Sequence, residues 1–107
     1  MELLLNPHSK ILGADLLCPF CGSDYLHHGK VEIFDRQEDN ETGLHVSVDA
    51  SRVTLDSDIS GNPSLRRQGL KIHFGCENCN GASILTLAQH KGTTYMKFLK
   101  PIHLAVL

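Results

Sequence analysis

Hydrophobic and polar residues alternate along most of this chain, and no long stretch carries the apolar stripe of an amphipathic helix. Val31 and Ile33 flank Glu32; Leu44, Val46 and Val48 are separated by His45 and Ser47; Leu70, Ile72 and Phe74 are separated by Lys71 and His73. Successive side chains of a strand point to opposite faces, so each run predicts a half-buried strand. "SRVTLD" (51–56) predicts a further strand, or a continuation of the preceding one past a bend. "ASILTLAQHKGTTYMKFLK" (82–100) predicts two strands meeting at Lys91 and Gly92, because glycine suits a two-residue hairpin turn. Met96 and Phe98 alternate with Tyr95 and Leu99, so that strand is apolar on both faces. This pattern fits a sheet covered by the intervening chain or by a second subunit.

Turn residues separate these runs. "DRQEDNETG" (35–43) reads as an exposed acidic turn, and "DSDISGNPSLRRQG" (56–69) is the best loop in the chain. Pro7 and Gly13 interrupt any long helix before residue 18, so residues 1–17 are expected to form a lead-in segment that covers the core. The apolar tail "PIHLAVL" (101–107) is expected to add an edge strand or to contact a second copy. The fold class that follows is mostly β. With 107 residues and no linker or repeat, residues 1–107 read as a single domain.

A chain of this size buries roughly two-thirds of its unfolded surface, which leaves little margin, and it has no tryptophan. A staple is therefore expected, and the cysteines offer one. Cys18, Cys21, Cys76 and Cys79 are the only four, arranged as two C-x2-C pairs with 54 residues between Cys21 and Cys76. Two thiolates at this spacing chelate one tetrahedral ion if the backbone turns sharply. Pro19, Gly22 and Gly81 supply such turns, the glycines through positive φ. Two such knuckles make a closed site of four thiolates, most commonly for one zinc ion per chain, with iron and no metal as the alternatives weighed. Four thiolates leave no open coordination position, so the ion is expected to be structural and the chain not an enzyme. The metal-free chain is then expected to be largely unfolded. His27 and His28 are the only other candidate ligands near the first pair.

"CPFCG" followed by a strand, and "GCENCNG" between the strand "LKIHF" and a hairpin, resemble the zinc-ribbon class of rubredoxin-like folds. The likeness covers both knuckles and the strands touching them. Zinc ribbons usually hold about 15–20 residues between the pairs, so residues 35–68 read as a β-rich insertion bridging the knuckles. "NPSLRRQGLKIHFGCENC" together with "LTLAQHKG" also looks like small zinc-ribbon proteins of bacteria and their phages. That second likeness implies no particular activity.

Charge refines the functional reading. Residues 1–58 carry four Lys/Arg against eleven Asp/Glu, and residues 59–107 carry six against Glu77 alone. Either the halves neutralise each other, or the C-terminal half presents a basic face to nucleic acid or to an acidic protein. Arg66, Arg67 and Lys71 are the candidate partner-binding residues, because adjacent guanidinium groups grip phosphates or carboxylates. The alternative for the arginines is a solvated loop with one of them bonded to the acidic insertion. A net charge of −2 argues against avid nonspecific DNA binding. "CPFC" alone is the pattern of a redox pair, but "GSDYLHHGK" is a poor helix start and the second pair would go unexplained. His73 and His90 are expected on neighbouring strands flanking the second knuckle, as surface groups and not as catalysts.

The expected function is therefore a non-enzymatic zinc-binding module for protein–protein interaction, possible contexts including a phage or mobile-element regulator of a host complex. The alternative is a nucleic-acid-binding zinc ribbon. The partner is expected to be a host or cognate protein, with homo-oligomerisation through apolar strands. No stretch approaches the roughly 18 apolar residues of a membrane span and the N-terminus lacks a signal-peptide pattern, so the expected location is the cytoplasm.

Overall fold

The computed structural model describes residues 4–9 and 12–100. Among them there is no helix. Eight strands follow in order: β1 (Leu4–Ser9), β2 (Gly13–Leu17), β3 (Leu26–Asp35), β4 (Leu44–Asp49), β5 (Arg52–Asp56), β6 (Gly69–Cys76), β7 (Ala82–His90) and β8 (Thr93–Leu99). The alternating runs all become strands, and "SRVTLD" forms a strand of its own. The expectations for the tail 101–107 lie outside the described residues.

β3 to β8 form one antiparallel sheet in the order β5-β4-β3-β6-β7-β8. β1 and β2 form a separate two-stranded ribbon whose strands pack mainly on each other. The lead-in segment is thus a hairpin in its own right. Within the main sheet, β3 pairs with β4 on one side and with β6 on the other. The 54-residue interval therefore leaves the sheet after β3, adds β4 and β5 as a meander, and returns beside β3 as β6.

The register sorts side chains cleanly. Leu55, Val46, Ile33, Leu70, Leu87 and Met96 form one row across all six strands, and Val53, Val48, Val31, Ile72, Leu85 and Phe98 form the next. Both rows are wholly apolar and lie on one face. The row between them projects to the other face and is wholly polar: Thr54, Ser47, Glu32, Lys71, Thr86 and Lys97.

The loop 57–68 crosses the polar face from β5 to β6, a span of three strand spacings or about 14 Å. Its serines, aspartates and asparagine bond within the loop and to the sheet beneath. Asn62 Oδ1 accepts from Ser64 N–H at 3.0 Å, and Asn62 Nδ2 donates to the Arg67 carbonyl at 2.8 Å. The buried Ser64 hydroxyl donates to the Gln89 carbonyl at 2.7 Å. A Cβ at Gly69 would overlap Asn62 Oδ1 and meet the Pro63 ring at 2.8 Å, so the loop lies directly on that glycine. Beneath it Phe34 is 1% exposed, with His45 stacked on its ring at 4.5 Å.

Two hairpins use two-residue turns. Lys91 (φ 51°) and Gly92 (φ 79°) join β7 to β8 as expected. Ala50 (φ 49°) and Ser51 (φ 66°) join β4 to β5, both left-handed although neither is glycine or asparagine. Left-handed backbone costs an ordinary L-residue roughly 1–2 kcal/mol. Replacing Ala50-Ser51 by Asn-Gly, the residues that this turn geometry favours, is expected to raise stability by about 1 kcal/mol, read as a shift of the urea midpoint at saturating zinc. An unchanged or lower midpoint would contradict the turn geometry.

Candidate metal centre

The four cysteines converge because two strands begin and end at them. β3 leaves the first knuckle and β6 enters the second, and their pairing starts with Leu26 opposite Cys76 and His27 opposite Gly75. Glu77 N–H donates to the Tyr25 carbonyl at 3.0 Å, tying one loop to the other. The two knuckles have the same backbone. In the first, Gly22 N–H donates to the Cys18 carbonyl at 2.9 Å and Cys18 N–H to the Ser23 carbonyl at 2.8 Å. In the second, Asn80 N–H donates to the Cys76 carbonyl at 3.0 Å and Cys76 N–H to the Gly81 carbonyl at 3.1 Å.

This equivalence corrects one expectation. Positive φ falls on Gly22 (75°) in the first knuckle but on Asn80 (59°) in the second, not on Gly81. Gly81 is small for another reason: a Cβ there would meet the Phe20 ring at 2.6 Å. Phe20 in turn carries the Lys100 ammonium 5.8 Å from its centroid.

All four Sγ atoms lie within 4.8 Å of one another, with Cys18 to Cys79 at 3.7 Å and Cys21 to Cys76 at 3.6 Å. A disulfide needs about 2.05 Å, whereas tetrahedral ligands about 2.3 Å from a zinc ion sit about 3.8 Å apart. The Cys18–Cys79 and Cys21–Cys76 separations match the second figure, so the donor set fits a tetrahedral thiophilic ion. Each knuckle gives one buried sulfur ligand (Cys18, Cys76) and one exposed (Cys21, Cys79). His27 faces Glu77 at 3.2 Å and His28 lies edge-on to Phe74, so neither joins the group.

Hydrogen bonds to sulfur surround this centre. Asn78 Nδ2 donates to Cys21 Sγ at 3.5 Å, across from one knuckle to the other, and Gly81 N–H donates to Cys79 Sγ at 3.4 Å. The Asn78 bond leads, joined by the Ser23 N–H, in holding the Cys21 thiol down at about 6. Gly81 N–H also favours the Cys79 thiolate, but burial and the other three sulfurs push that thiol up to about 12. Asn78 was not legible as a site residue; the one clue was an amide donor between two cysteines.

The candidate partner-binding residues all have partners within the chain. Arg66 forks onto Asp39 at 2.8 and 2.6 Å, Arg67 Nη1 stands 3.9 Å from Glu38, and Lys71 Nζ lies 5.9 Å above the Phe34 ring. The arginine loop is bonded to the acidic turn 35–43. His73 and His90 are not neighbours at the knuckle. His90 ends β7 at the far turn, beside Tyr95.

His73 belongs instead to a cluster that the alternation hid. Glu32 Oε2 lies 2.7 Å from His73 Nε2 and Glu32 Oε1 lies 3.1 Å from His45 Nε2, while His45 Nδ1 lies 2.9 Å from Asp56 Oδ1. These side chains fasten β5, β4, β3 and β6 across the polar face. Burial works to raise the Glu32 pKa, but the bond to His73, the Lys30 charge, the bond to His45 and the Lys71 charge together hold it below the usual carboxylate range.

Compared with known proteins, the chain matches no protein-family model, no curated protein and no solved structure. The site must be read from its own geometry.

Two predictions follow the two clusters. Asn78→Ala removes a donor to a ligand sulfur and is expected to weaken zinc binding roughly tenfold or more, measured by competition with a chromophoric chelator; unchanged affinity would sink that role. Glu32→Gln is expected to lower stability by roughly 1.5–3 kcal/mol at pH 7, measured by urea unfolding at saturating zinc. Because the folded-state pKa of Glu32 is depressed, its contribution is present above the unfolded value of about 4.3 and is lost as pH falls through the folded value. The gap between wild type and variant should therefore narrow in acid; a gap independent of pH would contradict the ionised Glu32.

Proposed function

We propose that this chain is a non-enzymatic module in which one structural zinc ion, held by Cys18, Cys21, Cys76 and Cys79, fixes a zinc-ribbon-like β domain used for protein–protein contact. The carrying observation is the apolar face of the six-stranded sheet. Of the twelve residues in its two rows only Leu85 and Phe98 are buried. A groove of about 560 Å³ runs over Ile33, Leu44, Val46, Leu70 and Leu87. Contiguous exposed apolar surface on this scale marks an interaction site. The four-thiolate set supports a structural ion, since it fills a tetrahedral shell and leaves no position for substrate or water.

The nucleic-acid reading has less support. It needs basic side chains free to meet phosphates, and Arg66 and Arg67 face Asp39 and Glu38.

The test is affinity capture with a tagged chain co-expressed with an untagged copy, with and without nuclease and in low and high salt. Protein recovery is expected to survive nuclease and salt, to fail with Val53→Glu/Leu55→Glu, and to persist with Arg66→Ala/Arg67→Ala. Treatment with a chelator is expected to abolish both recovery and the β-sheet circular dichroism. Recovery that needs nucleic acid, fades in high salt and fails in the arginine variant would replace this reading with the nucleic-acid one.

A further inference from the structure

Resting on that reading of the apolar face, we infer that its occupant is a second copy of this chain, packed face to face as a two-layer β-sandwich.

The first argument is the missing layer. A sheet that is apolar on one face is stable when that face is buried against another element. The loop 57–68 lies on the opposite, polar face, where Gly61 meets Phe34 and Lys71. Among the described residues no strand packs across the apolar side, and of its two central rows only Leu85 and Phe98, at the β7–β8 corner, are buried. Leu55, Val53, Met96, Leu44, Ile33 and Val48 are each 39–67% exposed there. A domain with half its core open needs an occupant that is present whenever the chain is. A second copy meets that condition by synthesis alone.

Chemistry is the second argument. Neither row contains a charge or a hydrogen-bonding side chain, so nothing in them reads a particular foreign sequence, and apolar rows are complementary to themselves under any two-fold axis in the interface plane. Polar groups stand at the end remote from the knuckles and are already satisfied: Gln68 Nε2 lies 3.4 Å from Asp35 Oδ1, and Gln89 Nε2 donates to Thr94 at 2.6 Å. An apolar centre with polar groups at its margin is the anatomy of a permanent interface, which resembles a domain core cut in half.

Area is the third. Six strands at about 4.8 Å spacing and five residues at about 3.4 Å rise give a face of about 29 by 17 Å, or about 500 Å² in plan. Two such faces laid together cover about 1,000 Å² in plan, the lower limit for a specific interface. Sheets packed this way lie about 10 Å apart with strands about 30° from aligned.

Sedimentation equilibrium of the zinc-loaded protein tests the inference. The expected mass is about twice the 11.8 kDa of the chain, with micromolar or tighter association. Val53→Glu/Leu55→Glu, on the exposed edge strand β5, is expected to weaken association at least 100-fold while zinc content and circular dichroism stay unchanged. Thr54→Glu, on the same strand but the other face, is expected to leave the dimer intact. A readout without mutation guards against misfolding: methyl signals of Val48, Val53 and Met96 should be shielded from a soluble paramagnet at high protein concentration and exposed on dilution.

A wild-type chain that stays monomeric at 100-fold above a micromolar concentration overturns the inference. If such a monomer still captures a different protein through the same face, the interaction reading stands and only the second copy falls; if it captures none, both fall. A dimer that ignores Val53→Glu/Leu55→Glu and leaves those methyls exposed overturns the assignment of the face.

Discussion

Four sulfur atoms from two segments 54 residues apart must meet within 4.8 Å, and the rest of the architecture depends on that convergence. Closing a loop of that length costs roughly 3–4 kcal/mol in chain entropy. The pairing of β3 with β6 begins at the knuckles themselves, so the segments that bring the sulfurs together are the ones whose ladder the sulfurs stabilise. A structural zinc ion held by such a cluster would contribute an apparent 10–16 kcal/mol, as much as the whole net stability of a typical domain at about 5–15 kcal/mol. A sheet with one open face can persist on those terms where an unaided core of this size would not.

The two faces of the sheet have different tasks. On the polar side, Glu32 bridges His45 and His73 across three strands while the loop 57–68 seals Phe34 beneath it. The two arginines that look like a recognition surface in the linear sequence face acids there, since the acidic turn 35–43 folds back to meet the arginine loop through Asp39 and Arg66. On the other side the two central rows carry no charge, and Asp35 stands at their margin beside Gln68. Part of the charge asymmetry is met within the fold, and the apolar face is a surface left largely open among the described residues.

Much of this was legible in advance because it depends on short-range rules. Alternation at 31–33, 44–48 and 70–74 located strands, and two C-x2-C pairs located the metal centre, because pleat and chelation both act over a few residues. What escaped depends on who lies next to whom. The β4–β5 turn is built from Ala50 and Ser51 in a conformation that glycine or asparagine would announce. The left-handed residue of the second knuckle is Asn80 because the knuckles superpose from Cys18 and Cys76, which places Asn80 where Gly22 stands. Asn78 and the Glu32 cluster needed the register between strands, and His90 was misplaced because the length of β7 carries it to the far turn.

The insertion shows the same logic at larger scale. The metal centre needs only the two knuckles with β3 and β6, and a short connection would serve it. This chain instead spends residues 36–68 on β4, β5 and a crossing loop, and the two added strands supply Val46, Val48, Val53 and Leu55 to the apolar rows. Val53 and Leu55 are the most exposed of all twelve, at 62% and 67%. Strands serving stability alone would bury their apolar residues against the rest of the sheet. This stretch extends apolar surface outward and secures its polar side with its own loop, so the widened face is the consequence of β4 and β5 that the proposed contact would use.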